Sequence, residues 1–364
     1  MYGHNSLHPA HHSHMFGFLE KDTLMDLQAY IRHAPKAELH VHLEGSVQPA
    51  TLMALAKRNH IEPPAETLDE LRQFFIFRDF AHFIQTYAII SRYLRTVEDY
   101  ELITYEFGEQ MAQQNVRYAE ATFSVCTHRF MRGIPHDVYF TGLTRGRERA
   151  RRDFGVEINW VFDIVRDVAS GPGMSERADY TTSVAIESRN DGVVALGLGG
   201  METGFPPEWF ESWFDKARAA GLHSAPHAGE VEGPKSVWGA IRALGAERIG
   251  HGVRSIEDPL LIAELVKRDI ALEVCPTSNV KLGVYPSLEQ HPLPRLVAAG
   301  VPCTVNSDDP PFFNTTMLNE ALLLDSTFHF DKETIDDILL NGVKYSFLPQ
   351  ERKDALTREF LVGA

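Results

Sequence analysis

The 364-residue chain has only three cysteines, Cys126, Cys275 and Cys303, widely spaced and without a CxxC pair. That excludes a disulfide framework and a thiolate metal cluster, leaves the thiols as small buried hydrophobes, and fits a reducing cytoplasm. Nor is there an uninterrupted apolar stretch near the roughly 20 residues that span a bilayer, or a secretory order of charged, apolar and small residues at the start, so no membrane partner is expected. Positive charge is also short. Thirty-five Lys and Arg stand against fifty Asp and Glu, a formal charge of -15. Such a surface repels phosphate backbones, which disfavours nucleic acid and favours a small-molecule substrate.

What the chain does have is 44% hydrophobic residues, enough for a large core. The first fifteen residues, MYGHNSLHPAHHSHM, have histidine, glycine and proline but no apolar period. Residues 1–20 are expected to be a disordered leader or a cloning remnant, and residues 21–364 one domain. Eight apolar runs of strand length follow, at 38–44, 116–125, 157–165, 193–200, 223–230, 248–253, 271–278 and 302–309. Helical spacing fills the intervals, for example at 207–222, 236–246 and 258–269. Eight such alternations predict a (β/α)8 barrel of TIM type, with a doubly wound open sheet as the alternative. The long interval at 48–115 predicts extra helices after the first strand. Its aromatic stretch at 69–94 suits either helix packing or a cover over the barrel mouth.

Within the first run, ELHVHLEGSVQ places His40 and His42 two apart, on one face of a strand. Taken alone this reads equally as a two-pronged ligand or as a solvated strand face. The other runs add polar residues at the ends where barrel chemistry sits: His227 and Glu230 in HAGE, His251 in GHG, and Asp308 with Asp309 in NSDDP. Three imidazoles and one carboxylate suit an open catalytic site for one Zn²⁺, and His40, His42, His227 and Asp308 are the expected ligands. They converge only if run eight abuts run one. A bound water made acidic by the metal would be the nucleophile. His251 would orient it and take its proton, Glu230 would carry a proton for a ring nitrogen, and Asp309 would accept a hydrogen bond from the substrate.

KAELHVHLEGS, HAGE, RIGHGV, CPTSNV and VNSDDP, in this order and spacing, resemble the adenosine and adenine deaminases of the amidohydrolase superfamily, from Pro35 to about Phe347. The resemblance implies a (β/α)8 barrel with one catalytic zinc and hydrolytic loss of the 6-amino group of a purine. It implies zinc on His40, His42, His227 and Asp308, Glu230 at purine N1, His251 beside the zinc-bound water, Asp309 at N7 and the backbone of Gly200 at N3. Phe80 and Phe83 look like the family's lid residues. The HxE and PCxxC motifs of the deaminases that act on flipped bases do not occur.

Departures from the family pattern bear on the substrate. Animal-type members have HLDG where this chain has Glu44, and an LAGDE-like stretch where it reads LGGMETG, with Met201 in place of an acid. NSDDP rather than NTDDP is shared with bacterial members. Adenosine is the first expected substrate. Aminodeoxyfutalosine follows, an adenosine analogue on a menaquinone route with a carboxylate on its 5′ side, for which Arg129, Arg132 or Arg166 would supply a cation. Adenine is third, because a free base leaves the ribose-side groups Glu44 and Ser46 unpartnered. A non-catalytic metal-binding barrel is the alternative of a different class. A two-metal ester hydrolase with a carboxylated lysine finds no lysine in the strand runs.

Overall fold

Runs rich in Val, Ile, Leu and Phe have no polar face to show to water, which suits parallel strands covered on both sides. In the computed structural model, which describes Met1 and residues 26–167 and 174–363, they form eight strands. These are β1 Lys36–His42, β2 Val116–Phe123, β3 Glu157–Val165, β4 Val193–Gly199, β5 His223–Ala228, β6 Arg248–His251, β7 Ala271–Val274 and β8 Cys303–Val305. Every neighbouring pair is parallel, in the order β1 to β8. Helices between the strands cover the outside, as the alternation requires. The histidine-rich leader expected at residues 1–20 lies, apart from Met1, outside the described residues.

The barrel closes through a seam between β1 and the segment after β8. Val41 and Asp308 form a parallel bridge. His42 N–H donates to the Asp308 carbonyl at 2.9 Å, and Asp308 N–H to the His40 carbonyl at 3.1 Å. Side chains extend the seam where backbone pairing stops: Leu39 N–H donates to Asn306 Oδ1, and both the amide and hydroxyl of Ser307 donate to Glu38 Oε1.

Every strand but β3 ends before its apolar run does, several for a local reason. Gly200 at φ 78°, Gly229 at φ 71° and His251 at φ 58° are left-handed at the ends of β4, β5 and β6, a conformation that no strand continues through. Pro276, lacking an N–H, starts the helix Pro276–Lys281 instead of extending β7. Likewise the aromatic stretch at 69–94 is split into helices Leu68–Phe74 and Phe80–Ile90 and the turn Ser91–Tyr93. Asp79 caps the second helix by accepting from His82 N–H at 2.8 Å.

The barrel interior carries a sealed guanidinium. Arg248, at the start of β6, donates from Nε to Glu273 Oε1 at 2.6 Å and from Nη2 to Glu120 Oε2 at 2.5 Å. Its Nη1 donates to the Tyr345 carbonyl, and its plane lies 3.8 Å from the Phe347 ring centre. All three charged residues are buried. Arg248→Met removes one charge and strands two carboxylates in the interior, so it should destabilise the fold by about 3–5 kcal/mol in denaturant unfolding. A loss within about 1 kcal/mol, the range of a surface pair, would mean that the interior is not sealed.

Candidate active site

The ends of β1, β5 and β8 bring the expected ligand residues together at the seam. Asp308 Oδ1 lies 3.4 Å from His42 Nε2 and 3.7 Å from His40 Nε2. The rings of His40 and His227 are 4.4 Å apart, and those of His42 and His227 5.3 Å. Donor atoms of His40, His42 and His227 all lie within 4.8 Å of one another, and so do those of His42, Asp308 and Asp309. His40 Nε2 is buried with no hydrogen-bond partner, an orphaned acceptor aimed at the cluster. Its other nitrogen, Nδ1, is tied to Glu273 Oε2 at 2.8 Å, which puts the ring proton on Nδ1 and leaves Nε2 bare. Burial, then the neighbouring His40 and His42, hold the His227 imidazole well below its usual pKa and therefore neutral. A neutral His227 imidazole, the orphaned buried nitrogen of His40 and a carboxylate fit a divalent ion with borderline softness.

Gly250, of the GHG motif, is required by this packing. A Cβ there would lie 2.7 Å from His40 Cε1 and 3.2 Å from the His227 ring.

Glu230 and His251 face the same cavity, with Glu230 Oε1 3.7 Å from His251 Nε2. Burial, then the charges of Asp308 and Glu202, push the Glu230 carboxyl well above its usual range, which favours its protonated form. The loop that carries it is organised by Glu202. That buried carboxylate accepts from the amides of Gly229 at 2.6 Å and of Val231 and Glu232 at 2.8 Å, and from Ser236 Oγ at 2.5 Å. Glu202 escaped the sequence reading, which looked for an acid at Met201, one place too early. Ser278 was also missed; its hydroxyl donates to Asp308 Oδ2 at 2.7 Å and leaves Oδ1 toward the histidines. A lone acid in the apolar strand β7 was the available signal for Glu273.

On the substrate side the cavity is lined by Phe83, Ile84, Tyr87, Ala88 and Met131 at the mouth, and by Ser124, Thr127, Asp163, Gly200 and Asp309 deeper in. Phe83 is wedged against Phe77, Phe312 and Phe313, with ring centres 5.3–5.5 Å away. The side chain of Phe80 lies outside the described residues. Asp309 packs its carboxyl on Gly45, where a Cβ would fall 1.6 Å from Oδ1. Burial, then the charge of Asp308, raise the Asp309 carboxyl well above its usual range.

Glu44 sits behind this wall. Its Oε1 accepts from Ser124 N–H and His128 Nε2, and its Oε2 from Tyr87 O–H. Asp163, unnoticed in the sequence, lines the cavity instead, bonded to Ser124 Oγ at 2.8 Å and pushed up to about pKa 7 by burial. Ser46 turns to the His42 carbonyl. Arg166, one of three cations expected at the mouth, is not there. It is buried, donating to the carbonyls of Phe205 and His227, because the loop behind a ligand histidine needs its carbonyls satisfied. Arg132 does lie near the mouth, donating to the Ala88 carbonyl at 2.7 Å and to Ser91 Oγ at 2.8 Å, while Arg129 is exposed on the same turn.

A parallel barrel with a hydrolytic constellation at the carboxyl ends of its strands defines a TIM-barrel hydrolase. The chain belongs to the adenosine deaminase family, whose pattern matches residues 35–361. It is 42% identical over 343 residues to an aminodeoxyfutalosine deaminase of Streptomyces coelicolor, covering 94% of this chain and 87% of that one. In three dimensions it resembles an adenine deaminase of Arthrobacter aurescens, with TM-score 0.84, 33% identity and 90% and 98% of the two chains covered. A Zn-bound amidohydrolase of Burkholderia ambifaria aligns with TM-score 0.84 at 28% identity over 92% and 93%. The chain is thus an enzyme of the purine-related amidohydrolase kind, and no helix among its described residues is long and apolar enough to cross a membrane.

Glu202→Gln replaces one acceptor oxygen of this loop clamp with a donor that faces N–H groups. It should lower kcat/KM about 10–100-fold while the unfolding midpoint of the whole protein moves little. Unchanged kinetics would show that the loop holds Glu230 without Glu202.

Proposed function

We propose that this enzyme removes the 6-amino group of aminodeoxyfutalosine by zinc-dependent hydrolysis, with adenosine as its second substrate. The observation that carries the reaction is the pairing of the buried His-Asp cluster with Glu230, whose carboxyl is pushed above its usual range and lies 3.7 Å from His251. His40, His42, His227 and Asp308 would hold one zinc, which supplies Lewis-acid activation of water.

The polypeptide supplies the rest. His251 orients the attacking water on one side of purine C6. As C6 becomes tetrahedral, electron density moves onto N1, and Glu230 gives its proton there. Asp309, uncharged in its buried place, donates to N7, and Gly200 offers its backbone to N3. One proton of the attacking water passes to the amino group and the other returns to Glu230 as the C6 oxygen becomes a carbonyl, so the tetrahedral carbon collapses with loss of ammonia and N1 keeps its proton in the product. Phe83, Ile84 and Tyr87 exclude bulk water while this happens.

The substrate preference rests on the similarity to the Streptomyces deaminase together with the polar groups that remain on the sugar side. Asp163, Ser124 and Thr127 are available to ribose hydroxyls, which favours a nucleoside over the free base adenine. Arg132, with Arg129 beside it, stands where a 5′ substituent ending in a carboxylate would emerge between Ala88 and Met131. A single ion pair there raises kcat/KM by roughly tenfold or more over adenosine.

Two experiments test the reading. With zinc-loaded protein, loss of 6-aminopurine absorbance should give kcat/KM for aminodeoxyfutalosine at least about tenfold above adenosine, with adenine lowest. Equal or better use of adenosine would make it an adenosine deaminase, and no turnover of any of the three would leave only a metal-binding barrel. Glu230→Gln should retain zinc while losing about 10²–10⁴-fold in kcat, the range of a lost proton donor. Activity near wild type would remove Glu230 from its role.

A further inference from the structure

Beside Ser278 in CPTSNV stands Asn279, which is wholly buried and has no part in the reaction above. Its amide joins two buried histidines. Asn279 Nδ2 lies 3.2 Å from His251 Nδ1, and Asn279 Oδ1 lies 3.1 Å from His291 Nε2. At the far end Leu293 N–H points at His291 Nδ1 across 3.2 Å.

The far end decides the polarity of the whole row. A backbone N–H can only donate, so His291 Nδ1 must accept and the proton of the neutral ring must sit on Nε2. That N–H needs an acceptor, so the oxygen of Asn279 must face His291 and its NH₂ must face His251. Amide orientation, ordinarily ambiguous, is here dictated by a group with no choice. His251 Nδ1 is then an acceptor, and the ring carries its proton on Nε2, the nitrogen 3.7 Å from Glu230 and 3.8 Å from Asp308. Burial keeps His291 uncharged, lowering its pKa to about 3, so the row does not reverse by protonation at that end.

We propose that Asn279 and His291 are positioning residues that lock His251 in the Nε2–H tautomer. In that form His251 gives a hydrogen bond to an oxygen in the cavity and has no lone pair there with which to take a proton. The tautomer is a property of the polypeptide alone. Its catalytic consequence rests on the aminohydrolase reading: His251 stabilises the attacking oxygen as a donor, and the water's proton bypasses it to reach the amino group, which leaves as ammonia.

The test uses full-length protein labelled with ¹⁵N-histidine, with and without zinc, since protonated and bare ring nitrogens differ widely in shift. Signals are assigned from their loss in His251→Gln and His291→Gln. Wild-type protein should show Nε2–H for both His251 and His291. Asn279→Asp presents an acceptor to both rings, so it should turn His251 to Nδ1–H and, where substrate is turned over, cut kcat about 100-fold with KM little changed. His291→Gln keeps the polarity, because a Gln amide can donate to Asn279 while its oxygen accepts from Leu293, and should leave His251 at Nε2–H with kcat close to wild type. An Nδ1–H signal for wild-type His251, or a His251 signal unmoved by Asn279→Asp, would overturn the proposal whether or not any purine is deaminated. Equal losses of kcat in Asn279→Asp and His291→Gln would reduce both residues to packing.

Discussion

The constraint on which the site depends is the row of buried charges that runs from Glu120 through Arg248 and Glu273 to His40. Each member would be expensive alone in the barrel interior, and each is made tolerable by the next. Arg248 neutralises two carboxylates, and Glu273 then has one oxygen left for His40 Nδ1. The cost of desolvation forces completeness, and completeness fixes geometry. A ligand histidine held by a carboxylate that is itself held by a guanidinium presents one nitrogen in one direction.

The same logic separates the two adjacent acids of NSDDP. Asp308 and Asp309 are equally buried, and burial favours the neutral form of both. For Asp308 it is outweighed by His251, His40 and His42, and the carboxyl stays below its usual range. Asp309 faces the charge of Asp308, with Glu44 and Glu230 adding to it, so it goes the other way. The pair is thereby driven apart, one toward the anion that a ligand role would need and the other toward the neutral donor proposed for N7, although they are neighbours in sequence with the same side chain. Environment assigns the roles, as it does for Glu230, raised by burial and by the charges of Asp308 and Glu202.

Much of this was legible in the sequence because it depends on local periodicity. Eight strands were placed by apolar runs, β3 with both ends at 157 and 165, and the polar residues at strand ends pointed to one crevice. What was not legible depends on partners distant in the chain. Glu44 looked like a residue that faces the substrate because it follows the HxH strand, yet its oxygens are taken by Ser124, His128 and Tyr87, about 40 to 84 positions away. Arg166 looked like a mouth cation because it ends a strand, yet it is spent on the carbonyls of Phe205 and His227. Strand ends were too long in the reading wherever a left-handed residue stopped the strand, since a Gly or His at positive φ leaves no trace in hydropathy.

Those left-handed residues are not incidental. His251 and Asp308 are the two non-glycine residues of the crevice with φ near +60°, and each stands where a strand turns into the site. Asp308 also exchanges backbone hydrogen bonds with His40 and His42 across the seam that closes the barrel. The histidine-aspartate cluster and the last closure of the sheet therefore share three residues, His40, His42 and Asp308. An ion that binds their side chains ties β1 to the end of β8 more firmly, so binding free energy at the site is also free energy of barrel closure. Conversely, closure brings those side chains together before any ion arrives, at the cost of one strained aspartate. The strain is sustained because the seam has other bonds, from Leu39 to Asn306 and from Ser307 to Glu38, that hold the strands in register while Asp308 turns inward.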